Sequence, residues 1–202
     1  MPRPRSLTST QIAAAALAVL DQQGLEALSM RTVARQLGIG TMSLYRYVSD
    51  RRQLEELVVD LVLDSVDATL PRGSPARKLA VLADRFRVAV SQHQAVVPLL
   101  LTHRHRSPSL LRWGEAILGV LADAGYAGKR RVIAFRAVVA YVFGALQVEQ
   151  FGPLSGSGTR ALAELSQTGF PHLSETAAHA LHVRQDDEFR RGFDIVLSGL
   201  GL

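Results

Sequence analysis

Residues 28–48 read LSMRTVARQLGIGTMSLYRYV, two short helical segments separated by a glycine turn, and no other stretch restricts the fold as much. Ser29 caps the first segment, in which Val33, Ala34 and Leu37 face inward. Gly38 ends it, because glycine enters the positive-φ region that a tight turn requires. The second segment covers 41–48, with Leu44 and Val48 on its buried side. Ala34 is small enough to let two helices cross closely. Each fully buried aliphatic side chain contributes roughly 1.5–3 kcal/mol, enough to fix the pair onto the helix before it. Short helices in quick succession, with a glycine turn before the last, form a helix-turn-helix.

The rest of the chain continues as helix after helix, with no alternating strand pattern. Thr8 with Gln11 is a capping box, Ile12, Ala13, Ala16, Leu17 and Leu20 form an apolar stripe, and Gly24 stops that helix. Asp50 with Gln53 is a second capping box, opening a helix over about 51–66 that carries Leu54, Leu57, Val58, Leu61 and Val62. The proline and glycine of 70–75 make a loop. Helical periodicity resumes over 76–93 with Leu79, Leu82, Ala83, Phe86 and Val90 on one face, and again near 108–124 and 129–151. GPLSGSG at 152–158 reads as a mobile loop; a weaker helix, a turn at 169–171 and a last helix near 186–200 follow. The fold class is all-α: a helix-turn-helix domain over 1–50, linked through the helix at 51–66 to a larger helical domain over 51–202.

Composition narrows the chemistry. At 48% hydrophobic and 20% charged residues, this is an ordinary folded chain. The absence of cysteine removes disulfides, thiolate zinc sites and cysteine nucleophiles, and fits a reducing cytoplasm. Up to Leu54, seven arginines (Arg3, Arg5, Arg31, Arg35, Arg46, Arg51, Arg52) face only Asp21, Glu26 and Asp50, so this quarter carries +4 of the net +5. A basic end on a near-neutral body suits a polyanionic partner, or a solvated basic surface. No signal peptide is visible. The apolar stretch 132–148 is interrupted by Arg136 and Gln147 and falls short of the roughly 20 residues a bilayer needs, so it is expected as a buried helix with no membrane partner.

Once Leu44 and Val48 face inward, Thr41, Met42, Ser43, Tyr45, Arg46 and Tyr47 are left outward. A plain solvated face favours lysine and glutamate. This mixture instead suits the major groove, where hydroxyls and arginine pair with base edges or phosphates and Met42 meets a thymine methyl. Arg31, Arg51 and Arg52, at helix ends, are natural phosphate partners.

The run LSMRTVARQLGIGTMSLYRYVSDRRQLEELV resembles the DNA-binding segment of the TetR family, in which L-x-x-R-x-[LVI]-A-x-x-L-G-[VI] precedes a recognition helix containing L-Y. The resemblance covers about 11–62. It implies a cytoplasmic regulator, typically a repressor released by a small-molecule effector, that reads two palindromic half-sites of double-stranded DNA as a homodimer. By position it implies DNA contacts from Arg31, Thr41, Met42, Ser43, Tyr45, Tyr47 and Arg51; Arg46 falls where the family varies.

The phrases RFRVAVSQHQ, LADAGY, AYVFGALQVEQ and EFRRGFDIVLSGL resemble the ligand-sensing domain of the tetracycline-repressor branch. The resemblance implies a four-helix dimer interface built from 131–151 and 186–200, through Ala134, Val138, Tyr141, Val142, Ala145, Phe189, Phe193, Val196 and Leu197. The alternative is that these helices form the core of a single chain. It also implies a ligand pocket among Leu82, Phe86, Leu100, His103, Trp113, Ile117, Val138 and Gln147. Where the tetracycline repressor places the histidine and glutamate of its magnesium–drug site, this chain has Leu100 and Val148. The expected effector is therefore an apolar or aromatic small molecule, with no metal or cofactor.

Other signals are weaker. His103-Arg104-His105-Arg106 reads as a solvated or pocket-rim turn, and His179 with His182 sit one helical turn apart without a carboxylate in register, so neither is expected to bind metal. Glu149 and 186–188 form no acid–base pair, and no nucleotide-binding glycine motif or G-x-S-x-G turn is present, so no catalytic residue is assigned. An architectural nucleic-acid binder without an effector, or a helical enzyme, are the alternatives to the regulator.

Overall fold

The computed structural model describes residues 7–150, 156–166 and 169–202. The described residues form α-helices and no strands: α1 Ser9–Gln23, α2 Met30–Gln36, α3 Thr41–Leu44, α4 Arg51–Leu63, α5 Pro75–Ser91, α6 Val97–Thr102, α7 Pro108–Asp123, α8 Gly128–Gln150, α9 Ser157–Ala163, α10 Pro171–Ala180 and α11 Gln185–Leu200. They group into two compact units, Met1–Leu70 with Arg85–Ile117, and Pro71–Asp84 with Leu118–Leu202. The sequence suggests 1–50 and 51–202. The contacts group differently because α4 packs on α1 and also meets α6.

In the first unit, the Thr8 hydroxyl accepts from the Gln11 amide at 3.2 Å while the Gln11 side chain accepts from the Thr8 amide at 3.0 Å. These bonds satisfy orphan donors of the first turn of α1. The helix buries Ile12, Ala13, Ala16, Leu17, Val19 and Leu20 against α2 and the α4 side chains Leu54, Val58 and Val62, and stops where Gly24 takes φ 80°. Asp50 caps α4 through the Gln53 amide at 2.9 Å, but the Gln53 side chain accepts from Ser49, not from the cap residue. The expected box therefore closes one residue early, and α4 ends at Leu63, short of 66. Leu57 and Leu61 are only half-buried, and Val59 and Leu63 are buried instead.

The segment after α4 is pinned by Arg85, whose guanidinium donates to the carbonyls of Asp67 (2.9 Å) and Thr69 (2.7 Å). Donation from Thr69, aided by the Arg85 charge, holds the Asp67 carboxyl below the usual carboxylate range. Phe86 and Trp113, both buried, place their ring centroids 4.2 Å apart. The sequence pattern gives no counterpart to α6. This helix lacks a side-chain cap, carries Pro98 in its first turn, and follows a 3-10 turn at Gln94–Val96.

In the second unit, α8 is long and apolar enough to span a bilayer by length and composition. Here it packs on α11, and it buries Ala134, Val138, Val142, Phe143 and Leu146. Tyr141 lies between Phe189 and Phe193 (centroids 5.6 and 5.5 Å) and donates its hydroxyl to the Phe189 carbonyl at 2.8 Å. Gly192 makes this approach possible, since a Cβ there would overlap the Tyr141 hydroxyl. Gly192→Ala is therefore expected to lower stability by about 1–3 kcal/mol, the usual cost of overpacking, as read by denaturant unfolding. Of the loop expected at 152–158, residues 152–155 lie outside the described residues, and Ser157 and Gly158 already belong to α9.

Candidate nucleic-acid interface

Ser29 begins α2 by accepting from the Thr32 amide at 3.2 Å, and the Thr32 hydroxyl donates to the Ala27 carbonyl at 2.7 Å, tying the helix to the turn before it. Met30, Val33 and Ala34 are buried, while Leu37 is only half-buried because it already lies at the C-cap. Gly38 turns the chain at φ 68°, letting the Ile39 amide reach back to Ala34 at 3.0 Å. Space around Gly38 is open, so a side chain there is opposed by backbone strain alone. Gly38→Ala is expected to cost about 1–2 kcal/mol, and the measured fall in stability should be accompanied by weaker DNA binding as the turn shifts.

The helix expected over 41–48 is one regular turn, Thr41–Leu44. Beyond it the amides of Arg46 and Tyr47 bond three residues back, to Ser43 and Leu44, so the chain tightens into turns up to Val48. Leu44 and Val48 are buried at 0% and 2% exposure. Those two anchors push Met42 (79% exposed), Tyr45 (48%) and Tyr47 (39%) into solvent, beside exposed Arg46 and half-buried Thr41 and Ser43. Two tyrosines and a methionine left this open within six residues form a surface suited to a partner. Arg31 is exposed on α2. Arg51, at the start of α4, is held: its Nε donates to Glu55 at 2.8 Å and its Nη2 to the Leu25 carbonyl at 3.1 Å.

The residues expected to line a ligand pocket are divided between the units. Phe86, Leu100, His103, Trp113 and Ile117 are buried in the first, Leu82 and Val138 are buried in the second, and Gln147 is exposed. His103 departs from the expected solvated or pocket-rim turn. It is 1% exposed, with Nε2 3.0 Å from a Glu55 oxygen. The neighbouring Arg104, His105 and Arg106 are exposed. In the second unit, a cavity of about 200 Å³ lies between α8 and α11, lined by Tyr141, Ala145, Val148 and Phe189 with the buried Glu149 and the exposed Glu188. Among the described residues, no group of three histidine or acidic side chains could hold a metal ion.

The residues expected at a dimer interface are mostly taken up inside the chain. Ala134, Val138, Val142, Phe189, Phe193 and Leu197 are buried within the chain itself, with Tyr141, Ala145 and Val196 partly so. They are the packing of α8 on α11. The apolar side chains these two helices leave open are Val132 (48% exposed), Ile133 (67%), Val148 (41%) and Ile195 (74%). Both faces of α8 are rich in aliphatic residues, so its sequence pattern does not distinguish the inner from the outer.

Residues 12–57 match the family model described as bacterial regulatory proteins, tetR family, and residues 69–201 match that of the tetracyclin repressor-like C-terminal domain. The chain is 32% identical over 152 residues to the HTH-type transcriptional repressor DrrR1 of Streptomyces coeruleorubidus, covering 74% of this chain and 56% of that protein, little more than half its length. It is 34% identical over 163 residues to an HTH-type transcriptional regulator of Saccharopolyspora erythraea, covering 78% of this chain and 68% of that one. The solved structure of the TetR family protein ActR of Streptomyces coelicolor in complex with actinorhodin superposes with a TM-score of 0.81 at 25% identity, covering 98% of this chain and 96% of that chain.

Proposed function

The chain belongs to the TetR family of bacterial regulatory proteins, and from that premise we propose that it is a cytoplasmic repressor, not an enzyme, that binds a palindromic DNA operator as a homodimer and leaves it on binding a small organic effector. The observation that carries the reading is the turn after Gly38, where buried Leu44 and Val48 present Met42, Tyr45 and Tyr47 outward. Arg31, Thr41, Ser43, Arg46 and Arg51 complete the DNA-facing set. Side chains of this kind give both phosphate anchoring and base-edge contact, and the second is what carries sequence information.

The dimer contact uses the outer faces of α8 and α11, where Ile133 and Ile195 stand open in the single chain. The effector is an aromatic or apolar molecule, in keeping with ActR, whose solved complex holds actinorhodin, and with buried Phe86 and Trp113 among the residues implied for the pocket. Effector binding favours a dimer arrangement in which the two readers no longer match successive half-sites, and the DNA-bound population falls accordingly.

Selection of binding sites from random double-stranded DNA, at one fixed salt concentration near physiological, tests this. Enrichment of a single palindrome is the expected result. Folded protein that binds without enriching any motif is an architectural DNA binder, and folded protein that binds no DNA is no operator reader; either result overturns the proposal.

A further inference from the structure

The geometry points to His103 as the residue that positions Arg51 for DNA, acting through the carboxylate of Glu55. This rests on Arg51 being a DNA contact, as proposed above. His103 is 1% exposed, and a buried imidazole needs partners for its ring nitrogens. Its Nε2 lies 3.0 Å from Oε2 of Glu55, and its Nδ1 lies 3.7 Å from Oε1 of Glu56. The other oxygen of Glu55 accepts from Arg51 Nε at 2.8 Å. One carboxylate thus joins a buried side chain before α7 to a guanidinium at the DNA end of α4.

The arrangement differs from an ordinary surface pair. An exposed arginine and glutamate four residues apart on a helix hold each other weakly, because both side chains are free to swing. Here Glu55 is 13% exposed and fixed from behind by His103. Arg51 is fixed a second time, by donation from Nη2 to the Leu25 carbonyl at 3.1 Å. With Nε and Nη2 engaged, the plane of the guanidinium is set before DNA arrives, and less side-chain freedom is lost on binding a phosphate.

Holding α4 in place does not require this relay. One turn further along the helix, Asp60 already accepts from the Ser107 hydroxyl at 2.6 Å and the Ser109 amide at 3.2 Å. The parallel limb is looser: Glu56 lies 3.8 Å from Arg52 and closer, at 3.2 Å, to Arg106. Of the two limbs, the one through Glu55 makes the shorter contacts, 2.8 Å to Arg51 and 3.0 Å to His103.

A double-mutant cycle in operator affinity tests the relay, using the full chain and the DNA site obtained by selection. Arg51→Ala should weaken binding and flatten the dependence of log K on log salt by about 0.9 for each phosphate that the variant no longer neutralises. His103→Leu should weaken binding at least about threefold when Arg51 is present, within the coupling range of residues sharing one hydrogen-bonded network, and have no further effect in the Arg51→Ala background. His103→Gln, which keeps an N–H donor, should restore most of the affinity. Where His103→Leu does not fold, as judged by circular dichroism, Glu55→Leu replaces it in the same cycle with the same expectation.

Equal reductions in both backgrounds would overturn the relay while leaving Arg51 as a DNA contact. An Arg51→Ala variant with unchanged affinity and salt slope would overturn the relay and remove Arg51 from the DNA-reading surface, while the selected palindrome would still stand.

Discussion

Tyr45→Ala is expected to weaken binding to the selected operator by about 1–3 kcal/mol for each half-site, tenfold or more in affinity, while the melting temperature stays where it was. The two effects separate because Tyr45 is 48% exposed and stands one residue beyond the buried Leu44 that holds the turn. Removing an exposed side chain changes stability by no more than about 0.5 kcal/mol. Removing a group that touches a base edge also relaxes discrimination at that base, so the variant should tolerate substitutions at one operator position more readily than the parent. Arg31→Ala removes a phosphate partner, and should instead weaken all sequences alike and reduce the salt dependence. Measured binding isotherms on the operator and its single-base variants distinguish the two. An unchanged isotherm for both variants removes this surface from DNA recognition.

The largest stability effect is expected at Phe86. This side chain is fully buried, 4.2 Å centroid to centroid from Trp113, in a unit that has few other large rings. Phe86→Ala deletes the ring and leaves a space that its neighbours fill only in part, a change that typically costs about 3–5 kcal/mol. For a chain of this size, that corresponds to a melting temperature lower by roughly 6–20 °C. Trp113 is the chain's single tryptophan, so its fluorescence reports the missing ring directly. A melting temperature within a degree or two of the parent would show that the ring pair is not part of the core.

Much of the first unit is legible in the sequence because its signals are local. The Thr8–Gln11 box, the Ser29 cap and the positive φ of Gly38 each involve residues within a few positions of one another, and each is present in the structure. The shortening of α3 is not legible. Whether residues 45–47 continue as helix or tighten into turns depends on how Leu44 and Val48 meet the helices beneath them. The Gln53 arm of the second capping box has two neighbouring amides within reach, and pattern alone does not select Ser49 over Asp50.

The larger helical part is harder to read because its decisions are tertiary. In α6, VPLLLT has neither a capping residue nor a polar face to mark it. In α8, Ala134 and Ile133 are adjacent and similar in kind, yet one is buried at 1% exposure and the other is 67% exposed. The periodicity of an almost uniformly apolar helix cannot assign its faces, and six of the nine residues expected at the dimer contact are buried within the chain itself. His103 raises the same difficulty in another form. Its partners, Glu55 and Glu56, lie about fifty positions away, and nothing near 103 in the chain announces them.

The central claim, that the surface around Met42, Tyr45 and Tyr47 reads DNA sequence, is tested most directly by one ratio. The affinity of the protein for its selected palindrome is compared with that for a shuffled duplex of the same length and composition, both at about 0.15 M salt. A sequence-reading dimer is expected to prefer the palindrome by a factor of about 10³ or more. A ratio near one, from folded protein, would mean that the basic N-terminal region holds DNA by its phosphates alone, and would contradict the account.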